Sequence, residues 1–441
     1  MKKKAIIALI IVASFVIIAL TGAFLYNCWS AGEYKNISWK YKKGVLTISG
    51  EGETNEITSL IWSKYAEKTE EIIIEEGITS IIDDAFKQFT SVKKVTIPNS
   101  VKTIKERAFE SCSLLETLDL GEGVVTIERG AFMWCTSLEN VTIPDSTEVL
   151  KESAFGNCEK LKNFYIGAGV KEVGFSLFDG SENEVNVTLS EKNPYLTCEN
   201  CVIFNKDKSI LIYYPDFLKD ETYSIPEGVV TIKKFSFGNY EYLKEIITPS
   251  TLKKIEESAF YQCEALEKIY IGESVSEIGT ISICQSGKLK EISVSEENNS
   301  FSSLEGVLFN KDKTKLIIYP NAKKSSLYEV PKSVLEIERI AFSNAEILKI
   351  ILPKTITKIS ENAFRFSTVK EISIPKSVSV MENGILQWCD NLEKIYYEGT
   401  KAEWKALSED SYYDSKTKNH TVVCKDGEIS VDTDTNHYLM E

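Results

Sequence analysis

The chain has 441 residues, a formal net charge of −14 at pH 7, a hydrophobic share of 43% and a charged share of 26%. The two shares are ordinary for a folded soluble protein. The acidic balance argues against nucleic acid as a partner, because binding to a phosphate backbone requires a basic face.

Residues 1–30 form a segment of their own. Lysines at positions 2 to 4 precede an almost unbroken apolar run from Ala5 to Tyr26. About 20 apolar residues suffice to cross a bilayer, whereas a cleaved signal usually has a shorter apolar core. Because the basic flank should stay in the cytoplasm, we expect everything after residue 27 outside the cell, with membrane contact through this segment only. An uncleaved single-pass anchor, a cleaved signal and a lipid on Cys28 remain three alternatives.

Residues 31–70 are predicted to form an N-terminal cap. From Asn36 to Gly52, alternating residues between glycine-bounded turns indicate a short hairpin that covers the first repeat. Trp39 and Trp62 are expected to serve as apolar lids on the end of the repeats. A cap is needed there because an open end would present unpaired strand edges and bare core.

The stretch from residue 71 to residue 397 repeats itself. Phe109, Phe132 and Phe155 recur at intervals of 23 residues, with a strand-like phrase between them. A fixed period of roughly 20–29 residues is typical of a solenoid, in which each unit buries its apolar face against its neighbours. Alternation within each phrase sends every second side chain outward. The predicted fold is therefore a β-rich α/β solenoid with a parallel β-sheet on its concave face and capped ends.

Half of the ten cysteines occupy one position of the repeat. Other repeats place phenylalanine, tyrosine, alanine or serine at this position, which indicates that it is a packing position. Free cysteine buries well as a small apolar residue, so we expect structural thiols and not a disulfide framework. The five cysteines are Cys112, Cys135, Cys158, Cys263 and Cys389.

Two long repeats interrupt the period, from Asn193 to Pro215 and from Asn298 to Pro320. In each of them a polar Asn-Lys-Asp-Lys turn joins two apolar segments, which predicts a β-hairpin insertion. After residue 397 the pattern changes again. Residues 398–441 are predicted to be a C-terminal cap and tail, in which Trp404 and Leu407 suit a short amphipathic closing helix.

Two phrases are shared by many of the repeats: Leu138-x-x-Val141-x-Ile143-Pro144, and Ala154-Phe155 followed by Cys158. These phrases resemble the BspA-like leucine-rich repeat family, also called the Treponema pallidum-type leucine-rich repeat. The resemblance covers roughly residues 39–424 and implies a leucine-rich repeat solenoid. It also implies a secreted or surface-displayed protein that acts in adhesion to host matrix proteins or to other cells.

No catalytic, cofactor or metal site is predicted. The two histidines, His420 and His437, lie in the C-terminal segment, which excludes a Ser-His-Asp or Cys-His arrangement on the repeats. Two carboxylates are able to cleave a glycoside without histidine, so a carboxylate-based glycan hydrolase remains a weak alternative. Aspartate and glutamate here follow exposed repeat positions, which is typical of a solvated face.

Cys198 and Cys201 form the only Cys-x-x-Cys pair of the chain. A structural zinc site typically takes two such pairs. The second long repeat has Ser303 and Gly306 at the equivalent positions. Structural or unpaired thiols, a disulfide and a metal site remain alternatives for the pair.

The outward face of the predicted concave sheet is the candidate binding surface. Tyrosine offers rigid contact area with a polar tip and is enriched in recognition surfaces. The first half of the repeats is favoured, because its threonine and asparagine side chains need less desolvation than the lysine and glutamate of the second half. An ordinary solvated strand face remains the alternative for each residue. The candidate ligand-binding residues are Thr96, Asp119, Thr142, Tyr165, Asn140, Asn163, Tyr270 and Tyr396.

The sequence thus predicts an extracellular binding module, tethered or secreted, with no catalysis. We expect adhesion to a host or matrix protein, a glycan or another cell through the concave face. A structural cell-envelope scaffold without a dedicated ligand is the alternative. The sequence makes no prediction of the oligomeric state.

Overall fold

The computed structural model describes residues 31–54, 61–181, 184–279, 281, 283, 286–409, 417, 419–432 and 437–439. Residues 1–30, for which the sequence predicts an anchor or a signal, lie outside this part of the chain. The chain divides into two compact units, residues 1–193 and residues 194–441. The described residues contain no helix long and apolar enough to span a bilayer. The predicted domain boundaries stay predictions.

The first unit is built from strands that alternate between a long and a short form. Each complete repeat contributes one long strand of three or four residues and one short strand, in most repeats of two residues. In chain order the strands are β1 (Ala31–Tyr34), β2 (Ile37–Lys42), β3 (Val45–Gly50), β4 (Gly52–Glu53), β5 (Glu71–Ile74), β6 (Ile78–Ile81), β7 (Lys94–Ile97), β8 (Thr103–Ile104), β9 (Thr117–Leu120), β10 (Thr126–Ile127), β11 (Asn140–Thr142), β12 (Val149–Leu150), β13 (Asn163–Ile166), β14 (Glu172–Val173) and β15 (Asn186–Leu189).

Long and short strands form separate sheets. The long-strand sheet has the order β1-β2-β3-β5-β7-β9 and continues as a second piece, β11-β13-β15; the short-strand sheet has the order β14-β12-β10-β8-β6-β4. From β3 onward the pairing is parallel, and equivalent positions of successive repeats face each other. Thr96 thus faces Asp119, and Asn163 faces Asn186. The predicted parallel sheet of stacked repeats is confirmed.

A tight turn completes each repeat and forms a third column of hydrogen bonds, which we call the turn ladder. In the turn around Phe109, both Arg107 and Ser111 have left-handed backbones, with φ of 55° and 62°. The N–H of Phe109 donates to the carbonyl of Ala131 in the next repeat at 2.8 Å. Phe86, Phe132 and Phe155 donate to the following repeat in the same way.

The phenylalanine rings of these turns form a single column in the core. The rings of Phe109 and Phe132 have centroids 5.2 Å apart and planes 2° from parallel. Phe86 and Phe155 extend the column at 5.1 and 5.2 Å, and all four rings are fully buried. Because such spacings are favourable for aromatic pairs, the column adds ring contacts to the burial of apolar area. This confirms that identical side chains recur because the repeats lie directly on one another.

The N-terminal cap is an antiparallel hairpin extended by one strand. β2 pairs with β1 and with β3, and β3 then pairs in parallel with β5. This confirms the hairpin predicted from Asn36 to Gly52. Trp39 is buried against β1 at Gly32, where an added Cβ would come within 2.5 Å of the indole ring. Trp62 is fully buried at the start of the ring column, as expected for a lid.

The second unit repeats the same plan with two insertions and a C-terminal cap. Its strands, in chain order, are β16 (Leu196–Glu199), β17 (Val202–Asn205), β18 (Ile210–Tyr213), β19 (Thr222–Ser224), β20 (Thr231–Ile232), β21 (Glu245–Ile247), β22 (Lys254–Ile255), β23 (Lys268–Ile271), β24 (Glu277–Ile278), β25 (Glu291–Val294), β26 (Phe301–Leu304), β27 (Val307–Asn310), β28 (Lys315–Ile318), β29 (Tyr328–Glu329), β30 (Glu336–Ile337), β31 (Lys349–Ile351), β32 (Lys358–Ile359), β33 (Glu371–Ile374), β34 (Val380–Met381), β35 (Lys394–Tyr397), β36 (His420–Cys424), β37 (Gly427–Asp432) and β38 (His437–Leu439).

The strands of the second unit form two pairs of sheets. The long strands give β19-β21-β23-β25 and β29-β31-β33-β35-β36-β37-β38, and the short strands give β16-β17-β18-β20-β22-β24 and β26-β27-β28-β30-β32-β34. The predicted insertions are confirmed as antiparallel hairpins, β17 with β18 and β27 with β28. In each insertion the last strand then pairs in parallel with the short strand of the next repeat.

Two tyrosines take the place of phenylalanine in the repeats that carry the insertions. Tyr214 stacks on Phe237 at 5.0 Å, and Tyr319 stacks on Phe342 at 5.1 Å. Both main-chain N–H groups also join the turn ladder, at 2.9 Å and 2.8 Å. The sequence-based prediction did not include these two residues among those at the phenylalanine position.

The C-terminal cap contains the predicted closing helix, α1 (Lys401–Ser408). Thr400 and Glu403 form a capping box, in which each side chain accepts the main-chain N–H of the other residue. Trp404 is fully buried with its ring 5.2 Å from that of Tyr397, and Leu407 packs on the same core. The helix therefore covers the last repeat in the way the sequence predicts.

Candidate binding surface

Four of the candidate residues form one outward column on the long-strand sheet of the first unit. Thr96 faces Asp119 across β7 and β9, and Thr142 faces Tyr165 across β11 and β13. Thr96 is half-buried and the other three are exposed. The exposed fraction of Tyr165 is 38%, which is high for a side chain of its size. We call the solvent-facing side of the long-strand sheet, on which these four residues lie, the outer face.

A ladder of asparagine amides lies beside that column. Asn163 Nδ2 donates to Asn140 Oδ1 at 2.8 Å, and Asn186 Nδ2 donates to Asn163 Oδ1 at 3.3 Å. The bonds run between equivalent positions of successive repeats and hold the amide planes in one orientation. A partner that binds here meets polar groups that are already ordered, which lowers the entropic cost of binding.

At the start of the outer face, Lys94 is engaged by an acidic neighbour. Its Nζ lies 2.9 Å from Glu71 Oε1. The hydrogen bond to Glu71 raises the pKa of Lys94, and the charges of Glu71 and Asp119 act in the same direction. Because Lys94 is exposed, this pair contributes little to stability but fixes where the positive charge lies.

The long-strand sheet is open between β9 and β11, both of which the structure describes in full. β9 pairs with β7 and β11 pairs with β13, but no ladder joins β9 to β11. Leu118 and Leu120 are consequently half-buried, although their equivalents in the neighbouring strands are buried. A cavity of about 420 Å³ lies at this opening, lined by Lys94, Thr117, Leu118, Asp119, Leu120, Glu122, Thr142 and Pro144.

The two candidate tyrosines of the second unit lie on different sheets. Tyr270 is 38% exposed on β23, in the sheet that ends with β25. Tyr396 is half-buried on β35, and the ammonium of Lys349 lies 5.6 Å from its ring centroid. Lys349 in turn pairs with Glu371 at 2.8 Å. Six of the eight candidates thus share the outer face of the first unit. Tyr270 and Tyr396 lie on two separate sheets of the second unit.

The repeat cysteines are inert packing residues. All five are fully buried, with free thiols. Burial raises the pKa of Cys158 to about 12 and that of Cys389 to about 11. The thiolate is therefore not accessible at neutral pH. This confirms the prediction of structural thiols in the repeat position.

Cys198 and Cys201 lie in a different setting. Cys198 belongs to β16, and Cys201 follows Asn200 in the tight turn to β17, with φ of 49° and 66° at the two turn residues. Burial, followed by the charge of Cys201, raises the pKa of Cys198 to about 12. Within the described residues no group of three histidine, cysteine, aspartate or glutamate side chains is arranged to hold a metal ion. The alternatives left open for this pair stay predictions.

An aromatic pair on the surface of the second unit, with Phe366 exposed and Trp388 half-buried, was not predicted. Phe366 and Trp388 stack with centroids 6.0 Å apart, and the guanidinium of Arg365 lies 4.7 Å from the Phe366 ring centroid. Both aromatic residues have left-handed backbones, with φ of 59° and 61°, which is uncommon for bulky side chains. The signal that identifies them is their position, two residues after the buried residue of the turn.

Comparison with known proteins agrees with this architecture. The family profile described as BspA type Leucine rich repeat region matches residues 56–184, 217–327 and 321–430, in six copies. No curated protein sequence matches the chain.

Solved structures of leucine-rich repeat proteins are similar in fold. A leucine-rich repeat protein from Eubacterium ventriosum is 23% identical, with a TM-score of 0.60 over 80% of this chain and 93% of that one. A leucine rich cell surface protein from Faecalibacterium prausnitzii is 22% identical, with a TM-score of 0.39 over 86% of this chain and 98% of that one. The first of these similarities supports the solenoid fold.

Proposed function

The chain belongs to the BspA-type leucine-rich repeat family, and we propose that it acts outside the cell as a non-catalytic binding module for adhesion. Membership suggests a protein-interaction or scaffold module, and the family is typically surface-associated. The basic residues and apolar run at the start of the chain support export, with the N-terminal segment as the connection to the membrane.

The outer face of the first unit is the proposed contact surface. The observation that carries this assignment is the exposure of Tyr165 next to the hydrogen-bonded amides of Asn140 and Asn163. A rigid aromatic ring beside ordered polar groups is typical of a binding surface, since the ring supplies contact area and the amides supply directional bonds. The partner is a host or matrix protein, a glycan or a component of another cell.

A binding screen of the full chain tests the proposal. The purified chain in mild detergent is applied to arrays of matrix proteins, mucins and glycans, and any saturable ligand is then measured with a Tyr165→Ala variant. We expect Tyr165→Ala to weaken binding by about tenfold or more, the size of effect typical of an aromatic anchor. Tyr195→Ala is the matched control, because Tyr195 is 49% exposed and lies in the other unit.

Two results would count against the proposal. Equal losses in the Tyr165 and Tyr195 variants would move the contact away from the outer face. Absence of any saturable ligand for the folded chain would favour a structural cell-envelope scaffold without a dedicated ligand.

A further inference from the structure

We propose that the cavity at the opening between β9 and β11 receives a lysine or arginine side chain of a protein partner. The inference rests on the proposed function and deepens it, because it specifies the chemistry that one part of the outer face recognises. The volume of about 420 Å³ is within the range of ligand pockets and is ample for a single long side chain.

The floor of the cavity is apolar because the sheet is open there. Leu118 and Leu120 are half-buried, whereas Val95 and Ile97 at the equivalent positions of β7 are buried. The loss of the ladder between β9 and β11 therefore leaves aliphatic surface in contact with solvent. An aliphatic stem laid on these leucines would remove that surface from water.

The rim of the cavity is acidic. Asp119 and Glu122 both line it, and neither carboxylate forms an ion pair with another described residue. The one cation of the rim, Lys94, is already held by Glu71 at 2.9 Å. A ligand at the rim thus meets two carboxylates and one ammonium that is already paired with Glu71, and this excess of negative charge favours a cationic head group.

Lysine and arginine combine the two properties that this cavity requires. Each has an aliphatic stem and a terminal cation, so that the stem is able to contact the leucines while the head group reaches the carboxylates. A neutral sugar would leave the charges unmatched. The cavity therefore favours a protein with an exposed basic residue over a neutral glycan, and the net charge of −14 assists the approach of such a partner.

The experiment uses the full chain and a capped tripeptide with a central arginine. The matched ligand carries citrulline instead, which has the same length and a planar end group but no charge, with a urea oxygen in place of one NH2 group of the guanidinium. Saturation-transfer NMR at millimolar peptide measures contact between the chain and the methylene protons of the ligand. We expect transfer to the arginine peptide and none to the citrulline peptide.

Variants locate the contact. The double variant Asp119→Asn, Glu122→Gln should weaken binding of the arginine peptide by about tenfold or more, since it removes both charges of the rim. The control Glu51→Gln, Glu191→Gln removes the same charge from exposed positions of the same unit and should bind as the parent chain does. Circular dichroism confirms that both variants are folded.

Equal binding of the arginine and citrulline peptides, or an equal loss in both double variants, overturns the assignment. A neutral glycan whose affinity depends on Tyr165 but not on Asp119 and Glu122 would also overturn it, while leaving adhesion through the outer face intact. If the arginine peptide binds but the array screen finds no saturable ligand, the assignment of the cavity is supported and the proposed function is contradicted.

Discussion

The indole ring of Trp62 lies on the ring of Phe86, with centroids 5.2 Å apart and planes 11° from parallel. Its Nε1–H donates to the carbonyl of Ala85 at 2.8 Å. In later turns this carbonyl position accepts a main-chain N–H from the preceding repeat, as Ala108 does from Phe86. Trp62 therefore supplies both the ring and the donor that a preceding repeat would provide.

Substitution of Trp62 separates these two contributions. Trp62→Phe keeps an aromatic ring and removes the donor to a buried carbonyl, so we expect the free energy of unfolding to fall by about 1–2 kcal/mol. Trp62→Ala also removes the ring and should cost about 3–5 kcal/mol. Guanidinium titration followed by far-UV circular dichroism measures both. An unchanged free energy of unfolding in Trp62→Phe would show that the indole N–H contributes nothing, and equal losses in the two variants would show that the ring contributes nothing.

The ring column makes Phe132 hard to replace. Phe132→Ala should lower the free energy of unfolding by about 3–5 kcal/mol, because rings fixed on both sides by the turn ladder are unable to close the hole. Trp134→Asn is the matched control, since Trp134 is 43% exposed two residues away and has a left-handed backbone that asparagine tolerates. Its effect should stay within about 0.5 kcal/mol. A comparable loss in the control would mean that the turn, and not the ring, carries the stability.

The buried thiols determine how the stability of the folded chain changes at alkaline pH. Burial raises the pKa of Cys158 from its ordinary value of 9.0 to about 12. The folded chain then holds this proton more tightly than the unfolded chain, so the stabilising contribution is complete below pH 9 and is lost as the pH rises towards 12. We expect the guanidinium midpoint of Cys158→Val to fall less steeply above pH 9 than that of the parent chain. Leu161→Ala, which removes a buried side chain that does not titrate, should keep the parental slope.

A buried asparagine closes the second insertion at its base. Asn298 donates through Nδ2 to the carbonyls of Gly272 and Val275, at 2.7 and 2.9 Å, and accepts through Oδ1 from the N–H groups of Ser300 and Phe301. Asn298→Ala leaves these groups without partners, and we expect a loss of about 2–4 kcal/mol in the free energy of unfolding.

The neighbouring asparagine provides the comparison for that prediction. Asn299 is exposed, so Asn299→Ala should change the free energy of unfolding by less than about 0.5 kcal/mol. Hydrogen exchange should show faster exchange in β26 for Asn298→Ala alone. Unchanged exchange there would mean that the insertion is held by its strand pairing and not by this side chain.

The repeat period was sufficient to predict the stacking of Phe109, Phe132 and Phe155, because identical spacing requires identical placement along a stack. The period was not sufficient to predict the opening of the sheet between β9 and β11. Leu118 and Leu120 alternate with polar residues just as Val95 and Ile97 do. Alternation reports which side a residue faces, whereas the separation of two strands depends on the backbone between them.

The candidate residues show the same limit. The outward position of Thr142 and Tyr165 followed from alternation and is confirmed by the exposure of both side chains. The contact of Tyr396 with Lys349 did not follow from alternation, because Lys349 lies two long strands earlier. Contacts across several repeats require the register of the sheets, which a single sequence does not display.

The common direction of the hydrogen bonds in the turn ladder has an electrostatic consequence. Every donor in it points to the following repeat, from Phe86 to Ala108 and from Phe132 to Ala154. Dipoles largely cancel in a β-sheet, but peptide groups aligned in one direction add, as they do in a helix. The first turn of such a stack therefore presents carbonyl groups, a negative pole, and the last turn presents N–H groups, a positive pole. The indole N–H of Trp62 meets that negative pole, so the opposite ends of such a stack call for caps of opposite polarity, whatever the net charge of the chain.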